Sequence, residues 1–146
     1  MASEDNLLRT KVLIEINEDF HQGDKLNFAL ISSDILYELV RCFEEEDNVI
    51  RELASRAIIK VAGTESGRTK LIEATDEDGS ETDYTPKIRK LFDDNEVDIR
   101  ANAYKAMCSV AEFTFGIDSI IQMHIIPVLV DKLVDEKNEE ILILIL

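Results

Sequence analysis

Asp47-Asn48-Val49-Ile50-Arg51 has two counterparts, Asp5-Asn6-Leu7-Leu8-Arg9 before it and Glu96-Val97-Asp98-Ile99-Arg100 after it. In each, an acidic turn leads through an apolar residue to an arginine, and the arginines lie 42 and 49 residues apart. Around and beyond each arginine apolar residues recur in steps of four: Leu8, Val12, Ile16 and Phe20; Ile50, Ala54, Ile58 and Ala62; Ile99, Ala103, Met107 and Ala111. Steps of four mark one face of a helix. Leu53, Ala57 and Val61, and likewise Ala106 and Val110, widen that face to the breadth of a helix packed on more than one neighbour. The small residues at 54, 62, 103 and 111 permit close helix approach.

A second helix precedes each of the later arginines. Ile35, Leu39, Cys42 and Phe43 correspond to Tyr84, Ile88, Leu91 and Phe92, and then to Ile126, Val130, Leu133 and Val134. A shorter apolar segment comes before each of these and is introduced by Gly23, Gly67 or Gly116, glycines that suit the left-handed residue ending a helix. The unit is therefore a short, a medium and a long helix in about 42 residues, a period typical of helical repeat arrays. The longer spacing of 49 residues is explained by Thr75-Asp76-Glu77-Asp78-Gly79-Ser80-Glu81-Thr82-Asp83, an acidic stretch without a large apolar group. It reads as a solvated loop insertion, with a docking tail or a phosphorylation site at Ser80 or Thr82 as the functional alternative.

The composition agrees with long helices. Of 146 residues 45% are apolar, while only 5 are Gly and 2 Pro. A formal charge of -15 from 31 acidic and 16 basic residues opposes binding to nucleic acid or anionic membrane, so neither is expected as a partner. Cys42 and Cys108 stand in no CxxC or CxxxxH context and read as small packing residues. The opening Met1-Ala2-Ser3-Glu4-Asp5 lacks a signal-peptide pattern, and no uncharged run nears the roughly 18 residues of a membrane span. A reducing, cytoplasmic setting is the expectation.

The run Gly116-Ile117-Asp118-Ser119-Ile120-Ile121-Gln122-Met123-His124-Ile125-Ile126-Pro127-Val128-Leu129-Val130-Asp131-Lys132-Leu133 resembles the armadillo repeat, with its Ile-Pro-x-Leu-Val-x-x-Leu core. Pro127, and Pro86 one unit earlier, fit the first turn of the medium helix, where a missing N–H costs nothing. A narrower resemblance joins Arg100, Tyr104, Lys105, Ile126 to Leu133 and Glu139-Glu140-Ile141 to the armadillo subunit of ciliary radial spokes, the radial spoke head 14 homologue family. The acidic insertion and the small number of repeats depart from that family.

What the resemblance implies is an all-α fold, an armadillo/HEAT-like right-handed solenoid of about three helical repeats filling 1–146 as a single domain. Residues 1–22 hold the long helix of an opening repeat. Repeats follow over 23–64, over 65–114 with the insertion at 75–83, and over 115–146, where Ile141 to Leu146 open a long helix that then stops. That apolar stop reads as truncation of a longer protein or as a repeat that a partner covers.

No residues suggest catalysis. His21 and His124 are isolated, no phosphate-cradling Gly loop is present, and the carboxylate pairs Asp93-Asp94 and Glu139-Glu140 fall at helix starts, where acids satisfy free N–H groups. The expectation is a non-enzymatic chain without cofactor, metal or small-molecule substrate. Arg9, Arg51 and Arg100 read first as partners of acids between repeats and second as a ladder for a binding protein.

If the long helices line a concave surface, as in armadillo proteins, their outward positions form the candidate partner-binding stripe: Glu52, Arg56, Lys60, Ala101, Lys105 and Ser109, continuing Thr10, Ile14 and Glu18. Arg56, Lys60 and Lys105 would make a cationic spot suited to an acidic segment. By resemblance the chain is a protein–protein scaffold whose partners are other subunits of the radial spoke in the axoneme of a motile cilium or flagellum. The alternative is a soluble cytoplasmic adaptor that captures peptide segments, although the chain lacks the Trp that nuclear-import armadillo proteins use, and Asn102 is its one Asn well inside a long helix.

Overall fold

The computed structural model describes residues 4–32, 34–75 and 81–146. They form α1 (Glu4–Asp19), α2 (Gly23–Ser32), α3 (Ile35–Arg41), α4 (Asn48–Ala62), α5 (Glu65–Ile72), α6 (Thr85–Lys90), α7 (Val97–Ala111), α8 (Thr114–Gln122), α9 (Ile125–Asp135) and α10 (Glu139–Ile145). The fold is all-helical apart from β1 (Ala74–Thr75) and β2 (Glu81–Thr82), which pair antiparallel with Ala74 opposite Thr82.

The order short, medium, long recurs as α2-α3-α4, α5-α6-α7 and α8-α9-α10, with α1 as a long helix ahead of them. Each long helix packs against the next, α1 on α4, α4 on α7 and α7 on α10, while α2, α5 and α8 touch in the same succession and each medium helix lies on its own long one. One continuous core runs through the stack. At its centre Ile50, Ala54, Ile58, Ile99 and Val110 are fully sealed, as is Ile141 of α10. Burial of each such large aliphatic side chain contributes about 1.5–3 kcal/mol. The Phe92 and Tyr104 rings stack with centroids 4.0 Å apart, fastening the end of the medium helix to the long one.

Local signals explain where the helices begin. Asp47 Oδ1 accepts a hydrogen bond from the Val49 amide (2.9 Å), Thr64 Oγ1 from Gly67 (3.0 Å) and Asn138 Oδ1 from Ile141 (3.1 Å). Single 3-10 turns at Cys42–Glu44 and Leu91–Asp93 close the medium helices before the acidic loops. Pro86 and Pro127 both lie in first turns, as their frame in the repeat predicts.

The glycines do something other than what their spacing suggests. None of Gly23, Gly67 and Gly116 is left-handed, and the last two lie inside α5 and α8. A Cβ on Gly67 would meet the Val61 carbonyl oxygen at 1.9 Å, and one on Gly116 would meet that of Val110 at 1.9 Å. Glycine is needed there because the short helix presses onto the last turn of the preceding long helix. Among the described residues the left-handed one is His124 (φ 49°), in the turn before α9.

The acidic insertion leaves and rejoins the stack through the β1–β2 pair. Residues 76–80, Ser80 among them, lie outside the described residues. On the return side the Tyr84 amide donates to Leu71 O (2.8 Å). Asp83 Oδ1 accepts from the Thr85 amide (2.8 Å) and hydroxyl (2.6 Å), and Asp83 Oδ2 accepts from Ser119 Oγ, which also lies 2.7 Å from Thr85 Oγ1. This knot ties α6 to α8.

Candidate functional site

The recurring arginines are built into the junctions between long helices. Arg9 Nη2 donates to Glu45 Oε1 (2.7 Å). Arg51 donates through Nε and Nη2 to the two carboxylate oxygens of Asp94 (2.9 and 3.2 Å), and Arg100 does the same to Glu136 (3.0 and 3.2 Å). The third nitrogen of each fork is used as well. Arg51 Nη1 donates to the carbonyls of Glu45 and Glu46 (2.9 Å each), and Arg100 Nη1 to those of Asp94 (2.9 Å) and Asn95 (3.1 Å). Each arginine of the last two rungs therefore closes the acidic turn of its own unit and grips the carboxylate of the next.

These rungs are well shielded: the Arg51 and Asp94 side chains are 16% and 8% exposed. Burial opposes ionisation of Asp94, but the bonds from Arg51 and the Glu96 amide outweigh it and hold the carboxyl below the ordinary range. Glu136 is held down chiefly by its hydrogen bonds from Arg100. Of the two readings of the arginines, pairing between repeats is the one the geometry carries. A more exposed set of pairs runs beside them, Lys87 with Glu44 (2.9 Å) and Lys132 with Asp93. Between the two sets lie open clefts of about 490 and 270 Å³, lined at equivalent positions by Glu44, Arg51 and Lys87 and by Asp93, Arg100 and Lys132.

The candidate stripe on the long helices is brought together only in part. Arg56 is exposed but is paired with Glu52 one turn earlier. Lys60 turns to α1, donating to the carbonyl and, at 3.4 Å, to the side-chain oxygen of Asn17, and burial lowers its pKa. Ala101 does not face outward. It is 8% exposed, because α7 is packed on one side by α4 and on the other by α10 and has little free surface. Lys105 is exposed, and the half-buried Ser109 donates to the Lys105 carbonyl (3.3 Å). The exposed cations of the expected spot are thus Arg56 and Lys105.

Buried polar residues that the apolar pattern passes over join the long helices. Asn17, inside α1, donates to the carbonyls of Leu13 and Leu53 (2.9 Å each), and Asn102 Nδ2 donates to Ser55 Oγ (3.0 Å). Asn102 is thus a helix-to-helix tie and not an outward peptide ligand. The signal for both is a polar residue on the inward face of a helix, where it must find a partner. Cys42 packs in the core as expected, whereas Cys108 is exposed, with its Sγ 3.6 Å from the Leu144 carbonyl oxygen of α10. His21 is exposed in the turn after α1 and His124 precedes α9, both away from any cluster of metal-ligating groups among the described residues. No helix among the described residues is long and apolar enough to cross a membrane.

The largest departure from the repeat pattern lies at the two outer faces. Leu8 and Val12 are 62% and 45% exposed, although their equivalents Ile50 and Ala54 are sealed. Together with Ile35 and Leu39 they line an apolar groove of about 270 Å³. At the other end of the stack Val134 is 82% exposed where its equivalents Phe43 and Phe92 are buried, and Val130, Ile143 and Leu146 are exposed as well. The steps of four are therefore covered only at their far end, where Phe20 is buried and Ile16 packs against the core, while Leu8 and Val12 lie open among the described residues. No protein-family model matches the chain, and neither a curated protein nor a solved structure matches it.

Proposed function

We propose that the chain is a non-enzymatic scaffold of the armadillo type, a right-handed solenoid of helical repeats that holds other proteins in a larger assembly. The observation that carries this reading is the recurrence of one junction. Long helix packs on long helix, with Ile50 and Ala54 sealed in α4 as Ile99 and Ala103 are in α7, and with Arg9, Arg51 and Arg100 each bonded to an acid of the following turn. A rod knitted in this way holds its flanks at fixed spacing, which is what a spacer in an assembly must do.

By resemblance the assembly is the radial spoke of a motile cilium or flagellum, and the location is the axoneme. Mass spectrometry of isolated axonemes and of salt-extracted spokes tests this: the chain is expected among the spoke proteins, and its absence from them would remove the placement. The adaptor reading rests on the exposed cations Arg56 and Lys105. It requires an acidic peptide to bind the wild type and to be lost from an Arg56→Glu/Lys105→Glu variant.

A further inference from the structure

We infer that a basic amphipathic helix of a partner protein docks along the edge where the acidic turns enter the long helices, over Leu7, Val49 and Val97. The inference rests on the scaffold reading and names the kind of partner and the place it meets.

Leu7, Val49 and Val97 stand in the first turns of α1, α4 and α7 and are 55%, 48% and 41% exposed. Leu7 and Val49 are equivalent in the repeat, and Val97 comes one position earlier in α7. Val49 is open although α4 is packed by α1 on one side and by α7 on the other, so exposure belongs to this position and not to a missing neighbour. The starts of the three helices are adjacent. Asn6 Nδ2 lies 3.4 Å from Asp47 Oδ2, and Arg51 joins the start of α4 to Asp94 just ahead of α7. Packed helices lie about 8–10 Å apart, so a helix laid across them meets an apolar side chain at close to every second turn.

The charges beside this row select the partner. Glu46, Glu96 and Asp98 are exposed there, and in α10 Glu139 and Glu140 occupy the equivalent positions. Among the described residues none of these carboxylates is in an ion pair, whereas the acids of the rungs are already held by arginine. In a chain of net charge -15, an apolar row bordered by unpaired carboxylates attracts an apolar stripe flanked by lysine or arginine and repels an acidic one. A second copy of this chain, equally acidic, does not fit. A helix with anchors at i and i+7 and basic flanks does. Arg56 and Lys105 lie about two turns further along α4 and α7 and suit a segment of the opposite charge, so the two surfaces are chemically distinct.

A labelled model peptide of about 18 residues, with leucine along one helical face and lysine elsewhere, is titrated with the full chain at about 0.15 M salt. The chain is expected to bind it about tenfold more tightly than a peptide of equal charge whose leucines are replaced by glutamine. Val49→Gln/Val97→Gln should weaken binding of the leucine peptide about tenfold. Glu46→Gln/Glu96→Gln should weaken it about threefold and lessen its loss with added salt. Glu73→Gln/Asp118→Asn removes the same charge beside the short helices and should leave binding within about twofold. Circular dichroism checks that the helices persist, and Leu7→Gln repeats the test should the valine pair fail to fold. Equal binding of the two peptides, binding of neither, or edge variants no weaker than the control pair would overturn the inference. Peptide binding does not depend on where in the cell the chain resides. Absence from spokes therefore leaves this surface standing, and failure to bind the peptide leaves the spoke placement standing.

Discussion

Replacing Arg51 by methionine keeps most of the side chain's bulk and removes its charge. Asp94, 8% exposed, then loses two hydrogen bonds and retains the one from the Glu96 amide, and the carbonyls of Glu45 and Glu46 lose their donor. Breaking a buried ion pair from one side costs about 3–5 kcal/mol, and because this pair is not wholly sealed the lower end, about 3 kcal/mol, is expected. Lys87→Met supplies the control. It breaks a pair with Glu44 whose side chains are 43% and 64% exposed, and such surface pairs are worth under about 1 kcal/mol. Urea unfolding followed by far-UV circular dichroism separates the two, provided the slope with denaturant is unchanged. In a chain of this size the Arg51 variant should also melt roughly 6–12 °C lower. Arg51→Met/Asp94→Leu should regain much of the loss, since a buried pair exchanged for apolar groups is close to neutral. An Arg51→Met variant no less stable than Lys87→Met, or a double variant no better than the single, would refute the view that the rung must be kept as a unit.

Gly67→Ala and Gly116→Ala place a methyl group 1.9 Å from a backbone carbonyl, so each should cost about 2–3 kcal/mol in thermal or urea unfolding. Gly23→Ala, with nothing within 4 Å, should be neutral or stabilising by up to about 1 kcal/mol. The buried Tyr104 hydroxyl has no hydrogen-bond partner among the described residues, so Tyr104→Phe should change stability by no more than about 1 kcal/mol, toward greater stability. Burial, with Glu136 and Asp93 nearby, pushes the Tyr104 pKa up to about 12, and the last step of a spectrophotometric tyrosine titration should vanish in that variant. Asp94 and Glu136 are held below the ordinary carboxyl range, so their contribution is complete above the unfolded value of about 4 and is lost as pH falls through the lower folded value. The urea midpoint should therefore drop in acid, and drop less steeply in Arg51→Met and Arg100→Met.

Much of this fold is legible in the chain because its repeats are compared with one another. Ile50, Ile99 and Ile141 lie at equivalent positions and all three are sealed, and the arginine beside two of them finds its acid in the next unit. Periodicity, however, reports which face can pack and not whether a neighbour is present. Leu8 and Val12 carry the same pattern as Ile50 and Ala54 yet lie open. Composition likewise says that glycine is special at 67 and 116 but not whether backbone freedom or absence of a side chain is the reason; the carbonyls of Val61 and Val110 decide it. The outward stripe fails at Ala101 and Lys60 because helix geometry alone does not reveal that α7 has neighbours on both sides or that Lys60 reaches the end of α1. The two-residue strands carry too few residues to leave a pattern.

The knot of Asp83, Thr85 and Ser119, with the β1–β2 pair on the other side, clamps both stems of the acidic excursion to the body. Its length is therefore decoupled from the register of the helices, since lengthening an anchored excursion adds only a slowly growing entropy cost. The span between the stems becomes a graft point. An epitope, a protease site or a whole fluorescent domain placed there should ride on the helical body without disturbing it, giving a handle for locating the molecule in a cell.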